Sequence, residues 1–165
     1  MSHRNPFIYG RPTRGDECIR RENQMQTVFN RLRNGESTAI IGEPHIGKTS
    51  FLFQIFDPKI QKEYLEDNDK KLSFANLDIH SINDTYTPMD FWIDALAPLS
   101  QLKIQSVENL VDKARKSQFS RATLDSLFTK LSAQNKVLVL LLDEFERLLK
   151  HPNFKEPGFF ALLRS

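Results

Sequence analysis

The chain contains one cysteine, Cys18, in 165 residues, so no internal disulfide framework holds it together and a reducing compartment suits it. No stretch approaches the length of a membrane span, and the opening residues, Met1-Ser2-His3-Arg4-Asn5-Pro6, lack the apolar centre of a secretion signal. The expected compartment is the cytoplasm, with no membrane partner. Charge of one sign is also lacking: the formal net charge is +2. Arginines gather early, at Arg4, Arg11, Arg14, Arg20, Arg21, Arg31 and Arg33, but Asp16, Glu17, Glu22 and Glu36 are mixed among them. That mixture favours a solvated face over a nucleic-acid footprint, leaving DNA binding open but not indicated. There is no internal repeat, no low-complexity tract, and no lid segment with catalytic arginines of the kind a small-molecule kinase needs. At 19.2 kDa, what remains is enough chain to bury a core as one domain or part of one.

Against these absences stands one dense signal. Residues 42–49 read Gly42-Glu43-Pro44-His45-Ile46-Gly47-Lys48-Thr49, with Ser50 after them, the G-x-x-x-x-G-K-T pattern of a phosphate-binding loop. Glycine at 42 and 47 lets the backbone turn its N–H groups onto phosphate oxygens. Lys48 supplies a point charge to the outer phosphates, and Thr49 offers a hydroxyl to a magnesium ion. A helix starting near Lys48 aims its positive end at the same anion. The preceding Thr38-Ala39-Ile40-Ile41 is expected to be a strand. The following Phe51-Leu52-Phe53-Gln54-Ile55-Phe56 carries apolar residues at helical spacing and is expected to stop at Asp57-Pro58. Gly42 through Ser50 are thus the candidate nucleotide-binding residues, and ATP with magnesium the expected ligand.

A second signal lies at Val137-Leu138-Val139-Leu140-Leu141-Leu142-Asp143-Glu144. Six apolar residues without alternation describe a strand buried on both faces, as parallel strands are. Two acids at its carboxyl end face the crevice where α/β proteins bind ligands. Asp143 is the candidate partner of magnesium, with Thr49, and Glu144 is the candidate that orients or deprotonates an attacking water. Lys48 and Glu144 are the catalytic candidates. The competing explanation is local: Asp143, Glu144 and Glu146 could simply cap the helix that follows.

Elsewhere, residues 5–17 read as a loop, and Met25, Val28, Phe29 and Leu32 as the apolar face of a helix ended by Asn34-Gly35. Residues 1–35 therefore lead into a core spanning 36–165. Leu72–Ile79 is a second strand with Asp78 at its polar end, after a charged loop at 66–71. Thr87 as N-cap, Pro88 and Asp90 open a helix with Phe91, Trp92, Ala95 and Leu96 on its apolar face. Further helices are expected around Val107–Ala114 and Ser120–Leu131.

Taken together, Asn5-Pro6-Phe7, Arg21-Glu22, Gly47-Lys48-Thr49-Ser50, Thr87-Pro88 with Phe91-Trp92, Leu142-Asp143-Glu144 and Phe159-Phe160 carry a family pattern. The chain resembles the STAND branch of the AAA+-like P-loop ATPases of prokaryotes. The resemblance implies an α/β fold, a three-layer αβα sandwich on a mainly parallel sheet. It implies that this sheet is incomplete, stopping before the sensor-1 strand, with a gap between the strand of the phosphate loop and that of Asp143. The resemblance likewise implies no sensor-1 polar residue, arginine finger or C-terminal helical lid within these residues. The adenine is assigned by resemblance to the neighbourhood of Ile8–Gly10 and Cys18–Arg21. The implied activity is ATP hydrolysis operating a signalling switch, passed to further domains of the same polypeptide and to protein partners, with homo-oligomers open. A nucleotide-holding scaffold with negligible hydrolysis and a DNA-associated ATPase are the alternatives.

Overall fold

Helices form where apolar residues recur at helical spacing, and two of them also carry a side-chain cap and a proline at their start. The computed structural model describes residues 19–65 and 71–163, and divides the chain into two compact units, Met1–Asp69 and Lys70–Ser165. The expected loop at 5–17, the Asn5-Pro6-Phe7 element, Ile8–Gly10, Cys18 and most of the charged stretch at 66–71 lie outside the described residues.

In the first unit, α1 spans Glu22–Arg33 and buries Met25, Val28 and Phe29, the face expected from their spacing. It ends as Gly35 enters the left-handed region at φ +73°, where a side chain would be strained. Helix α2, Lys48–Phe56, buries Phe51, Leu52, Gln54 and Ile55. Asp57-Pro58 does end α2, but it also starts another helix: α3, Pro58–Tyr64, has proline at its first position and Asp57 accepting from the Lys59 N–H at 2.8 Å. Phe29 of α1 stacks on Tyr64 of α3 at 5.0 Å.

The expected strand at Thr38–Ile41 is not formed. These residues join no ladder among the described residues, and Ile41 is 92% exposed. A strand is a paired object, and apolar β-formers with no neighbour leave their backbone groups to water. At the start of the segment Arg31 donates to the Thr38 hydroxyl at 2.9 Å, and just before it to the Ser37 carbonyl at 2.8 Å.

The second unit is a mixed α/β body. β1, Lys71–Asp78, and β2, Lys136–Asp143, pair in parallel, in register from Lys71 opposite Lys136 to Asp78 opposite Asp143. A parallel pair requires a long crossover. Here it contains α4 (Pro88–Leu96), α5 (Gln105–Lys116) and α6 (Arg121–Ala133). Helices α7 (Phe145–Lys150) and α8 (Pro157–Leu162) follow β2. The core gathers Phe91, Trp92, Leu96, Val107, Leu124 and Leu127 with Phe154 and Phe159 from the end of the chain. β2 departs from the expectation of burial on both faces: Val139 and Leu141 are buried, whereas Leu138, Leu140 and Leu142 are only partly covered. A strand pairing with one neighbour in a two-stranded sheet has less around it than a strand inside a wide parallel sheet.

Helix α4 starts as its sequence foretold. Thr87 and Asp90 form a reciprocal capping box, the Asp90 N–H bonding the Thr87 hydroxyl at 3.2 Å and the Thr87 N–H bonding the Asp90 carboxylate at 2.9 Å. The Thr87 hydroxyl, then its backbone N–H, hold the Asp90 carboxyl below the usual aspartate range. A carboxyl with a lowered pKa contributes above its unfolded value and stops contributing as pH falls through the folded one, so the box is intact at neutral pH. Replacing Thr87 with Ala should cost about 1 kcal/mol. Trp92, the single tryptophan, is 3% exposed in this core, and its fluorescence during urea unfolding measures that loss. An unchanged midpoint would remove the box from the stability of the unit.

Candidate functional site

The two glycines of the 42–49 loop are required for different reasons. A Cβ on Gly42 would lie 3.0 Å from the Ile46 side chain, tighter than nearly all real contacts, so glycine there lets the loop fold over itself without displacing Ile46. Gly47 sits at φ +90°, ψ 29°, a left-handed conformation, and is the N-cap of α2. His45 is also left-handed, at φ 64°. Glu43, Pro44, His45 and Ile46 are exposed, while Gly47, Lys48, Thr49 and Ser50 are half-buried where the helix begins.

With glycine as N-cap, α2 has no side-chain acceptor for its first N–H groups. The N–H groups of Gly47, Lys48 and Thr49 bond to no described residue; the first turn is joined by the Phe51 N–H to the Gly47 carbonyl at 3.0 Å. Three consecutive donors at the positive end of a helix form an anion-binding concavity. The Lys48 ammonium lies over the same loop, donating to the Gly42 and Glu43 carbonyls at 3.1 Å each. These are exchangeable contacts between a flexible cation and carbonyl dipoles, so Lys48 can turn to a phosphate oxygen at the cost of two neutral acceptors.

The structure adds a residue to the loop that sequence reasoning placed only by resemblance, near the adenine. Arg21, just before α1, donates from its guanidinium to the Ile46 carbonyl. Its neighbours are pinned to α3. Arg20 makes a two-pronged pair with Glu63 at 2.8 and 3.1 Å, and Glu22 accepts from the Tyr64 hydroxyl, which this bond, then burial, pushes up to about 12. Gln54, buried in α2, donates to the Ile19 carbonyl at 3.3 Å. No local sequence rule links residue 21 to residue 46.

In the second unit Asp143 and Glu144 follow the last apolar residue of β2, as expected. The register sets Asp78 beside Asp143 at the carboxyl ends of the two parallel strands. Asp78 accepts from the His80 N–H at 2.9 Å and Asp143 from the Glu144 N–H at 3.1 Å, so each carboxylate is braced by the chain leaving its strand. Glu144 adopts φ 55°, ψ 37°, a left-handed conformation that costs a residue with a Cβ roughly 1–2 kcal/mol. It occupies the N-cap position of α7, yet no side chain caps that helix. Capping therefore does not account for Glu144. Its carboxylate lies 3.6 Å from Arg147, three residues on, a spacing that predicts such a pair on a helix. With both side chains about half exposed, the pair is worth a few tenths of a kcal/mol, too little to hold Glu144 out of use.

Beside the end of β1 is an open crevice of about 480 Å³, lined by Asn76, Asp78, Ser81, Asn83, Tyr86 and Asp94 among others. Burial, then a 2.8 Å bond to Asp94, keeps the Tyr86 hydroxyl protonated. With two carboxylates and no basic side chain among its lining residues, this crevice repels phosphate, so the donors at 47–49 are the better anion site. Among the described residues no group of three or more His, Cys, Asp and Glu side chains could hold a metal ion. Thr49 belongs to the first unit and Asp143 to the second, and each by itself offers an oxygen of the kind magnesium takes. No described helix is long and apolar enough to cross a membrane.

Comparison with family models, with curated proteins and with solved structures gave no match for this chain.

Proposed function

We propose that the chain binds ATP with magnesium through residues 42–50 and hydrolyses it as a nucleotide-operated switch. The observation that carries this reading is the run of donors at the start of α2: three N–H groups that bond to no described residue, beginning at the left-handed Gly47, with the Lys48 ammonium on the carbonyls of the same loop. Helix starts are common; one with this backbone and this lysine six residues after a glycine whose Cβ would crowd the loop is not.

Thr49 offers its hydroxyl to magnesium and Asp143 its carboxylate, as the sequence pattern assigns them. When bound, magnesium neutralises phosphate charge. Glu144 takes a proton from, or orients, the attacking water. A nucleotide-holding module without turnover has one observation in its favour, the Arg147 pair on Glu144, but so weak an exposed contact yields to a competing hydrogen bond.

Replacing Lys48 with Ala removes the charge facing the phosphates and should weaken ATP–magnesium binding by ~1.5–3 kcal/mol, more than tenfold in dissociation constant. Calorimetry on the two proteins side by side is the check. If their affinities agree, the loop is not the nucleotide site.

A further inference from the structure

The hydrogen bond from Arg21 to Ile46 has a consequence one atom further along the chain. The peptide joining Ile46 to Gly47 is planar and trans, so its carbonyl and its N–H point in opposite directions. With the Ile46 carbonyl drawn to Arg21, the Gly47 N–H points away from that arginine, and it is the first of the three donors that bond to no described residue. Glycine at 47 also leaves room for the guanidinium, because a Cβ there would approach Arg21 Nη2 to 3.3 Å.

A long arginine side chain is ordinarily a poor fixture, since holding it in one rotamer costs side-chain entropy. Here the residues on both sides of it are held. The Ile19 carbonyl is held by Gln54, Arg20 by Glu63 and Glu22 by Tyr64. Ile19, Arg20 and Glu22 are tied to α2 and α3, and Arg21, between them, is left to reach the loop. We propose that Arg21 is the positioning residue of the phosphate loop, holding the Ile46 carbonyl outward so that the Gly47 N–H stays turned toward the bound phosphate. This role rests on the nucleotide-binding reading and extends it. Arg21 acts through the peptide plane and needs no contact with the nucleotide.

The test uses the full chain labelled with nitrogen-15, in wild-type, Arg21→Met and Arg21→Lys forms. Without ligand, the Gly47 amide peak should move in Arg21→Met while the buried Ile55 amide, in the same unit, stays in place. With magnesium, ATP titration should give a dissociation constant about tenfold higher for Arg21→Met, as expected for losing one bond from a charged donor, and Arg21→Lys should recover part of it. A Gly47 peak that does not move, or equal affinities in proteins that all bind, overturns the role of Arg21 and leaves nucleotide binding standing. No saturable shift in the wild-type protein overturns nucleotide binding itself, and this role with it. Should Arg21→Met fail to fold, Arg21→Lys carries both readouts, with about threefold weaker binding expected; failure of either readout overturns the proposal.

Discussion

Exchange of Glu144 for Gln should leave ATP–magnesium binding within about threefold of wild type and lower single-turnover hydrolysis by at least about a hundredfold, the usual contribution of a general base. The substitution keeps the size of the side chain and its hydrogen-bonding reach but removes its ability to take a proton. It also keeps a Cβ at a left-handed position, so the backbone conformation of the turn, φ 55°, is burdened equally in both proteins. A fall in rate is then chemical rather than structural. Rapid-quench measurement with enzyme in excess over ATP separates hydrolysis from product release. An active Gln variant would remove Glu144 from the chemistry, and Arg147, which loses its ionic partner in that variant, would have to be considered as the residue acting on the phosphates.

Truncation of Phe91 to Ala should be the most damaging single change to the second unit, at about 3–5 kcal/mol. Phe91 is fully buried, and its ring meets three others edge-on: Trp92 at 5.4 Å, Phe159 at 5.0 Å and Phe154 at 6.4 Å. Such pairs add to the area each ring buries. Because Phe154 and Phe159 lie beyond β2, the cavity would loosen the end of the chain as well as α4. With domains generally stable by only about 5–15 kcal/mol, most of the margin would go. Urea unfolding followed at Trp92 reads it directly, and a loss under about 1 kcal/mol would mean that the cluster collapses to fill the space.

Local signals were legible in the sequence and non-local ones were not. Thr87-Pro88 and Asp90 foretold the start of α4 because cap, proline and first-turn acid all act within four residues. The apolar run to Asp143 foretold β2 and its acidic end. Asp57-Pro58 reads as a stop, yet proline at a first helical position is equally a start, and α3 follows it. Thr38–Ile41 has the composition of a strand, but pairing depends on distant residues and none of the described ones joins it. In the candidate site, spacing along the chain picks out both glycines, Lys48, Thr49, Asp143 and Glu144. The hold of Arg21 on Ile46 spans 25 residues, and the left-handed turn at Glu144 has no glycine or asparagine to announce it.

The pairing of β1 with β2 joins residues 65 apart, Lys71 with Lys136, throughout the ladder. Closing a loop of that size costs about 4 kcal/mol before the first ladder bond forms, whereas α5 and α6 are separated only by the turn at 117–120 and can meet early. Refolding of this unit should therefore be paced by the strands finding each other, with helical signal developing ahead of the sheet. Substitutions along the ladder would then speed unfolding more than they slow folding, and those between α5 and α6 the reverse.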